Sequence, residues 1–190
     1  TPNKILHTYL LRLVKYTFSI TVDHLEKDRS QDLLSLIEAC MNLLQKEGWN
    51  LPKLNAKYIM EHQCALIGKH LKMLVQCMPF VLWDMVVPEL LKAWVMIGLT
   101  GALLWQYNIK VKEVYLAELQ QALTSLVHAI AHLDPIKMIS KPKLHILLHA
   151  TDDIQRCGPA VGFTTERYKS YNLVFRTCSV NSNHQSPSPI

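Results

Sequence analysis

Apolar residues recur every three or four positions along most of this chain, which is the spacing of one face of an α-helix. The first such face follows Asn3, a residue type that often caps the start of a helix. It consists of Ile5, Leu6, Tyr9, Leu10, Leu13 and Val14. The polar run 28–32 interrupts the pattern, so the sequence predicts a first helix that ends before this run.

A second helix is predicted from about Gln31 to about Lys46. Its inward positions share helical spacing and are Leu33, Leu34, Ile37, Met41 and Leu44. Gly48 suits the left-handed position just past a helix end, and Pro52 cannot continue a helix. These residues predict a turn before the third helix.

Three more helices follow from the same periodicity. They are predicted over about 55–78, ending at Pro79, then over 88–107 and 110–133. Pro88 suits a first helical turn, and Asp134-Pro135 closes the last helix. No hairpin turn and no glycine-rich loop occurs, and only the short runs 145–149 and 172–175 could be strands.

The predicted fold class is therefore mostly α. A helical bundle is expected over 1–140, followed by a distinct C-terminal segment over 141–180 and a flexible tail over 181–190. The length of 190 residues suits one domain or one and a half, and it is enough to bury a substantial core.

Hydrophobic residues make up 49% of the chain and charged residues only 18%, which is sparse for a free-standing domain. Sparse charge favours a surface that is covered by a partner or by the rest of a larger protein. The run 73–104 is the most apolar part, but charges and prolines break it. It is therefore interpreted as a pair of buried helices rather than a membrane span. The Met and aromatic residues between Met73 and Trp105 are predicted to form part of the hydrophobic core. The alternative is that they line an apolar groove for a partner.

Charge is weakly positive and concentrated near the C-terminus. The formal net charge is +5. Residues 141–190 hold six basic and three acidic side chains, and mild positive charge permits contact with nucleic acid. The five cysteines are odd in number and scattered, so a reducing, intracellular compartment is expected. No secretory signal is recognised at the N-terminus, and the missing initiator Met favours a fragment or a processed form.

Candidate chemistry is thin along most of the chain. His128 and His132 are one turn apart, as are His145 and His149, and such pairs can bind one metal ion. No third ligand completes either pair, so structural roles are the stronger interpretation. Asp152-Asp153 has the start of a prenyl-diphosphate aspartate motif but lacks its third aspartate, which favours either an N-cap or a solvated pair at a helix start. No Walker loop, GxGxxG or GxSxG motif occurs, and no cysteine carries a local signature of a nucleophile.

Glu166 is the one acidic residue in the stretch GFTTERYKSYN, which also holds two threonines, one arginine and one lysine. From spacing alone, Thr164 or Thr165 caps a helix, and Glu166 occupies its first turn, where the helix dipole favours a negative charge. Arg167, Lys169 and Arg176 are then a solvated face of that helix.

A family resemblance gives this stretch a second interpretation. The segments that carry it are 141–149, 152–154, 158–160, 163–168, 170–172, 175–176 and 182–188, with the upstream pieces 1–2, 5–8, 10–11, 14–16, 51–54, 67–70 and 78–81. Together they resemble the C-terminal part of transposon-derived proteins of mushroom-forming fungi. These proteins are similar to CACTA-like DDE transposases of the Plavaka and Kyakuja-Dileera-Zisupton kind, and the resemblance covers nearly the whole chain.

The resemblance implies a helical insertion followed by a remnant of an RNase H-like core. In such proteins three acidic residues bind two divalent metals, normally magnesium, for displacement at phosphorus. Glu166 matches the last of these ligands, as a catalytic and metal-binding residue if the missing acidic partners are supplied. The resemblance further implies DNA as a partner and a nuclear location. The basic residues expected to meet DNA phosphates are Arg167, Lys169, Arg176, Lys141 and Lys143.

Departures from the family pattern argue against catalysis by this polypeptide alone. The resemblance places the first catalytic aspartate before residue 1, and Lys4 stands close to the second acidic position. Arg12 and His184 stand where the family tends to have glycine and arginine. One carboxylate cannot hold two metals, so no bound cofactor is expected for the isolated chain.

Three functions are consistent with these observations. The leading one is an inactive transposase-derived fragment with residual, sequence-indifferent DNA binding. The second is a helical protein-interaction module that self-associates or binds a partner through the region 73–105, without a membrane. The third is an all-helical binder of a small ligand, or an unrelated enzyme.

Overall fold

The computed structural model describes residues 8–27, 31–44, 55–136 and 142–163, and within these ranges it contains helices and turns but no β-strand. The prediction of a mostly α protein is therefore confirmed. The segment 141–180, which suggests an RNase H-like remnant, is described only over 142–163, so that part of the expectation stays a prediction.

Seven α-helices make up most of the described chain. They are α1 (Lys15–Lys27), α2 (Gln31–Leu43), α3 (Ala56–Glu61), α4 (Gly68–Val81), α5 (Pro88–Leu104), α6 (Lys112–Leu133) and α7 (Ala150–Cys157). A π-helical segment, Tyr9–Val14, leads directly into α1. Short 3₁₀ segments cover Gln63–Ala65, Pro142–His149 and Ala160–Phe163. None of these helices is both long enough and apolar enough to cross a bilayer.

The predicted helix over 55–78 is wrong in two respects. Asn55 caps its start as its spacing suggests, because the Asn55 side chain accepts a hydrogen bond from the Tyr58 amide at 3.0 Å. However, the helix ends at Glu61, and His62 adopts a non-helical backbone with φ −119° and ψ 43°. The Tyr58 and His62 rings stack there with centroids 4.5 Å apart. A new helix, α4, begins at Gly68.

Pro79 also fails to end its helix. It lies inside α4, which continues to Val81. Pro79 has no N–H to donate to the Val75 carbonyl, but the bond that closes the helix still forms, from the Leu82 amide to the Met78 oxygen at 3.0 Å. Tertiary packing of the apolar residues around this turn therefore outweighs the local penalty of the proline.

Other boundaries agree with the sequence more closely. Helix α5 begins at Pro88 and ends three residues earlier than predicted, while α6 begins two residues later than predicted and ends at Leu133 as expected. The run 145–149, considered as a strand, lies in the 3₁₀ segment Pro142–His149. The other possible strand, 172–175, lies outside the described residues.

The core lies where α5 meets α1, α4 and α6. Trp94 of α5 is fully buried, and its Nε1 donates to the Thr21 hydroxyl at 2.9 Å. Thr21 in turn donates to the Thr17 carbonyl at 2.8 Å, one turn back along α1. A buried indole N–H is thus paired, as a dry core requires.

Gly101 allows the close approach of three elements. A Cβ atom at Gly101 would lie 2.8 Å from the Trp105 ring, 2.9 Å from Val75 Cγ1 and 3.0 Å from the Tyr9 hydroxyl oxygen. Such distances are below ordinary van der Waals contact, so only glycine fits here without displacement of its neighbours. The same Tyr9 hydroxyl donates to the Ile97 carbonyl, which joins the π-helical segment to α5.

The described C-terminal residues pack on α6. Ala150 and Ile154 of α7 are buried within the same hydrophobic core as the preceding helices. The Thr151 hydroxyl contacts Gln120 Oε1 at 2.8 Å, and Lys112 Nζ donates to the Gln155 carbonyl at 3.1 Å. The start of the predicted segment 141–180 is therefore attached to the helical bundle by both apolar and polar contacts.

Candidate functional site

A groove lies between α4 and α5 on the described surface. Its volume is about 690 Å³. The lining residues come from α4, the following turn, α5 and the residue after it, and are Lys72, Val75, Gln76, Pro79, Phe80, Trp83, Val95, Gly98, Leu99, Ala102 and Trp105. We call this surface the apolar groove.

Helical spacing explains why these residues share one surface. On α4 and the turn after it they recur from Lys72 to Trp83 at intervals of three and four residues, and on α5 they recur from Val95 to Ala102 in the same way. Residues at these intervals line one face of a helix. The two antiparallel helices present these faces side by side, so the groove runs along both of them.

Small residues form the floor of the groove. A Cβ atom at Gly98 would lie 3.6 Å from Pro79 Cγ and 3.6 Å from the Val75 carbonyl oxygen, which is ordinary contact. Gly98 and Ala102 are one turn apart on α5, so the helix surface between the larger side chains is low. The concavity therefore follows from side-chain size along one face of α5.

Three large apolar side chains on the groove are exposed. The exposed fractions are 63% for Phe80, 67% for Trp83 and 53% for Leu99. Single exposed apolar residues are common on proteins, whereas these three side chains share one groove. Burial of one such side chain contributes about 1.5–3 kcal/mol. The groove can therefore contribute several kcal/mol to the binding of an apolar partner.

Polar groups lie at the two ends of the groove. At one end Lys72 Nζ lies 5.0 Å from the centroid of the Trp105 ring, a cation–π arrangement. At the other end, where α4 turns into α5, Asp84 follows Trp83 and is exposed. We call these the Lys72 end and the Asp84 end. Between them Gln76 is half-buried, and its Oε1 atom is buried without a hydrogen-bond donor among the described residues.

The sequence indicated that the region 73–105 is important, but it did not show which of its apolar residues lie in the core and which line the groove. Met73 and Trp94 belong to the core, as the first interpretation of the apolar run 73–105 predicted. Phe80, Trp83 and Leu99 line the groove. The partner that the alternative interpretation expected for such a groove stays a prediction. The opposite charges at the two ends of the groove were not predicted, although the sequence shows Lys72 before the apolar stretch and Asp84 after it.

Most of the predicted DNA and metal site lies outside the described residues. This holds for Glu166, Arg167, Lys169, Arg176 and Lys141. Lys143 is part of the 3₁₀ segment Pro142–His149, where only the backbone is described. The assignments of these residues therefore stay predictions.

Five of the six residues in the histidine and aspartate pairs have described side chains, whereas the side chain of His145 lies outside the description. His128 and His132 are both exposed on α6. His149 is exposed, and its Nδ1 lies 3.5 Å from Asp152 Oδ2 in the first turn of α7, consistent with a solvated pair at a helix start. Among residues 8–27, 31–44, 55–136 and 142–163, no three His, Cys, Asp or Glu side chains are placed to bind a metal.

Comparison with known proteins finds no matching family model, no matching curated protein and no matching solved structure. The class of this protein is therefore described from its fold and its groove. It is an all-helical protein, over the part that the structure describes, with an apolar groove between two antiparallel helices.

Proposed function

We propose that this chain is a protein-interaction module whose apolar groove receives a helix of a partner surface. The observation that carries the proposal is the exposure of Phe80, Trp83 and Leu99 around a floor of small residues. Apolar helices bind such grooves by inserting side chains spaced at three and four residues. This spacing matches the spacing of the groove walls.

The length of the groove suits a short helix. The wall from Lys72 to Trp83 extends over three helical turns. At a rise of about 1.5 Å per residue it is roughly 16 Å long. A partner helix of about three turns can place three or four apolar side chains along that length.

A small apolar ligand fits the groove less well. The volume of about 690 Å³ is within the range of ligand pockets. However, such pockets bury most of the ligand surface, whereas Phe80 and Trp83 are themselves more than half exposed. An open groove with aromatic edges is better matched to a partner surface that covers these edges.

The groove can be tested with a fluorescent apolar dye and a competing helix. We expect the chain to bind an anilinonaphthalene dye, and a short amphipathic peptide with leucines at helical spacing to displace it. Leu99→Glu should weaken dye and peptide binding by about tenfold, because it places a charge on the apolar wall. Leu43→Glu is the matched control, since Leu43 is 80% exposed on α2, away from the groove.

Two results of this experiment would count against the proposal. One is equal loss of binding in the Leu99→Glu and Leu43→Glu variants, which places the dye elsewhere. The other is a bound dye that the peptide does not displace, which favours a small-ligand site. Circular dichroism of both variants checks that each remains helical.

We also propose that the chain derives from a DDE transposase and keeps residual DNA binding in its C-terminal part. Support comes from the sequence: the segments that resemble the transposase family, and six basic against three acidic residues in 141–190. In this proposal Arg167, Lys169 and Arg176 contact DNA phosphates, together with Lys141 and Lys143. A nuclear location and a remnant of the RNase H-like core belong to the same proposal. Glu166 acts as a magnesium ligand only with acidic partners that this chain does not supply.

The salt dependence of the affinity tests whether the chain binds DNA. The affinity for a generic duplex of about 30 base pairs should fall steeply between about 50 and 200 mM salt, because each phosphate contact releases counterions. The triple variant R167Q/K169Q/R176Q should lower the slope of log K against log salt by up to about 2.7. The variant K27Q/K57Q/K110Q removes the same charge from the helical bundle and is the control. Equal affinity of the first triple variant and the unmodified chain contradicts the proposal.

A further inference from the structure

We infer that the occupant of the apolar groove is a second copy of this chain, related by a twofold axis that crosses the groove. The inference rests on the proposed function, because it names the partner of the same groove. It is carried by three features of the groove, namely its shape, the distribution of charge at its ends, and its size.

The shape of the groove is self-complementary. A twofold interface uses the same patch on both copies, so the patch must carry both a depression and a projection. The floor at Gly98 and Ala102 is the depression, and the exposed rings of Phe80 and Trp83 are the projections. Each copy can therefore place its aromatic rings over the floor of the other.

The charge at the two ends has the sign that an antiparallel pair requires. Helix α4 carries Lys69 and Lys72 and no acidic residue, so the Lys72 end is basic. The Asp84 end carries the exposed residues Asp84, Glu89 and Lys92, so it is net acidic. A twofold axis across the groove brings the Lys72 end of one copy against the Asp84 end of the other.

This pairing occurs twice in one dimer, once at each end. A parallel arrangement would instead bring the Lys72 ends together, and like charges in contact are repulsive. The antiparallel arrangement also brings two helical hairpins face to face, which is a common way to build a four-helix bundle. The α4–α5 hairpin is already packed on the core, so dimerisation requires little ordering of the backbone.

The size of the groove predicts a weak dimer. A surface roughly 16 Å long and two helix diameters wide has a footprint of about 320 Å² per copy. Stable interfaces bury about 800 Å² per partner. We therefore expect a weak, reversible dimer of the kind that small transient interfaces form.

Charge exchange across the groove tests the inference on the full chain. Sedimentation velocity over about 5–500 μM protein should show a monomer–dimer equilibrium. Lys72→Glu and Asp84→Lys should each weaken the dimer by about three- to tenfold, because each disrupts both paired ends. The double variant K72E/D84K should return the Kd to within about twofold of the original, because it exchanges the charges. Lys27→Glu makes the same charge change outside the groove and should leave the Kd unchanged.

The outcomes separate this inference from the proposed function. A chain that stays monomeric at every concentration, yet binds the dye at the groove and loses it in Leu99→Glu, overturns self-association and leaves the interaction module standing. A monomeric chain that binds neither dye nor peptide overturns both. A dimer whose Kd is unchanged by both Lys72→Glu and Asp84→Lys overturns the twofold arrangement.

Discussion

Replacement of Trp94 with alanine is expected to lower the free energy of unfolding by about 3–5 kcal/mol, the range for removal of a large aromatic side chain from a core. Trp94 is 0% exposed and lies at the junction of α5 and α1. The substitution leaves a cavity that the surrounding helices can fill only in part, so the packing contacts of the indole ring are lost. Typical domains are stable by 5–15 kcal/mol, so this loss would bring the chain close to unfolding.

The hydrogen bond of Trp94 accounts for a smaller part of the effect. Trp94 Nε1 donates to the Thr21 hydroxyl at 2.9 Å, and that hydroxyl also donates to the Thr17 carbonyl. Trp94→Phe keeps most of the ring volume and removes the N–H donor. We expect it to cost about 1–2 kcal/mol, because the Thr21 oxygen keeps its role as a donor after the change.

Urea unfolding monitored by circular dichroism measures both losses. Trp83→Ala is the matched control, since it makes the same substitution at a residue that is 67% exposed on the apolar groove. At low protein concentration it should change the stability of the monomer by less than about 1 kcal/mol. Similar losses for the Trp83→Ala and Trp94→Ala variants would mean that Trp94 does not occupy the core as described.

The second large effect is expected at alkaline pH. The free energy of unfolding should fall by about 2 kcal/mol between pH 10 and pH 11 from the buried tyrosines Tyr9 and Tyr16, and by a further amount from the buried Tyr115. Burial raises the pKa of Tyr9 well above its ordinary value, partly offset by a backbone hydrogen bond at Gly101. Burial also raises the pKa of Tyr115.

The pKa of Tyr16 is raised by burial and also by nearby acidic residues. Burial raises the pKa of Tyr16, and so do its hydrogen bond to Asp134 and the negative charges of Asp134 and Asp23. The Tyr16 hydroxyl lies 2.5 Å from Asp134 Oδ2 and joins α1 to the residue that follows α6. A phenolate at this position could not donate that bond and would face a carboxylate.

The sign of the pH dependence follows from proton binding. Above a pH of about 10 the tyrosines of the unfolded chain lose their protons, whereas those of the folded chain keep them until the raised pKa is reached. The unfolded state then binds fewer protons than the folded state. Stability is therefore fully present below about pH 10 and is lost as the pH rises.

Urea unfolding at a series of alkaline pH values tests this, with phenolate absorbance as an independent record of ionisation. Tyr115→Phe should reduce the loss between pH 10 and pH 11 to about 2 kcal/mol, because one titrating group is gone. Tyr107→Phe is the control, since Tyr107 is 73% exposed. A Tyr115→Phe profile parallel to that of the unmodified chain would show that Tyr115 ionises equally in both states.

Local sequence determined the helical class and several helix ends. Apolar spacing identified Tyr9, Leu10, Leu13 and Val14 as one inward face, and all four are buried. Pro88 begins α5 as predicted, because a proline in the first turn has no helical hydrogen bond to lose. These features depend on residues within one or two turns of each other, so a sequence pattern contains them.

The same local patterns were insufficient where two effects competed. The break at His62 carries no glycine or proline, and apolar spacing continues across it. In the structure the Lys15 side chain donates to the Cys64 carbonyl at 2.6 Å, and the His62 ring stacks on Tyr58. One of these contacts joins residues 49 positions apart. Pro79 was expected to end a helix, but long-range packing carries the helix past it.

The apolar groove shows most clearly what the sequence alone could not determine. The sequence determined that the region 73–105 is apolar and helical, and that Lys72 and Asp84 lie on either side of an apolar stretch. Helix α5 is apolar around most of its circumference, so its pattern alone does not tell which side faces the core. Only the tertiary structure placed Trp94 inside and Leu99 outside, because α1 and α6 cover one side of α5 and leave the side next to α4 open as the apolar groove.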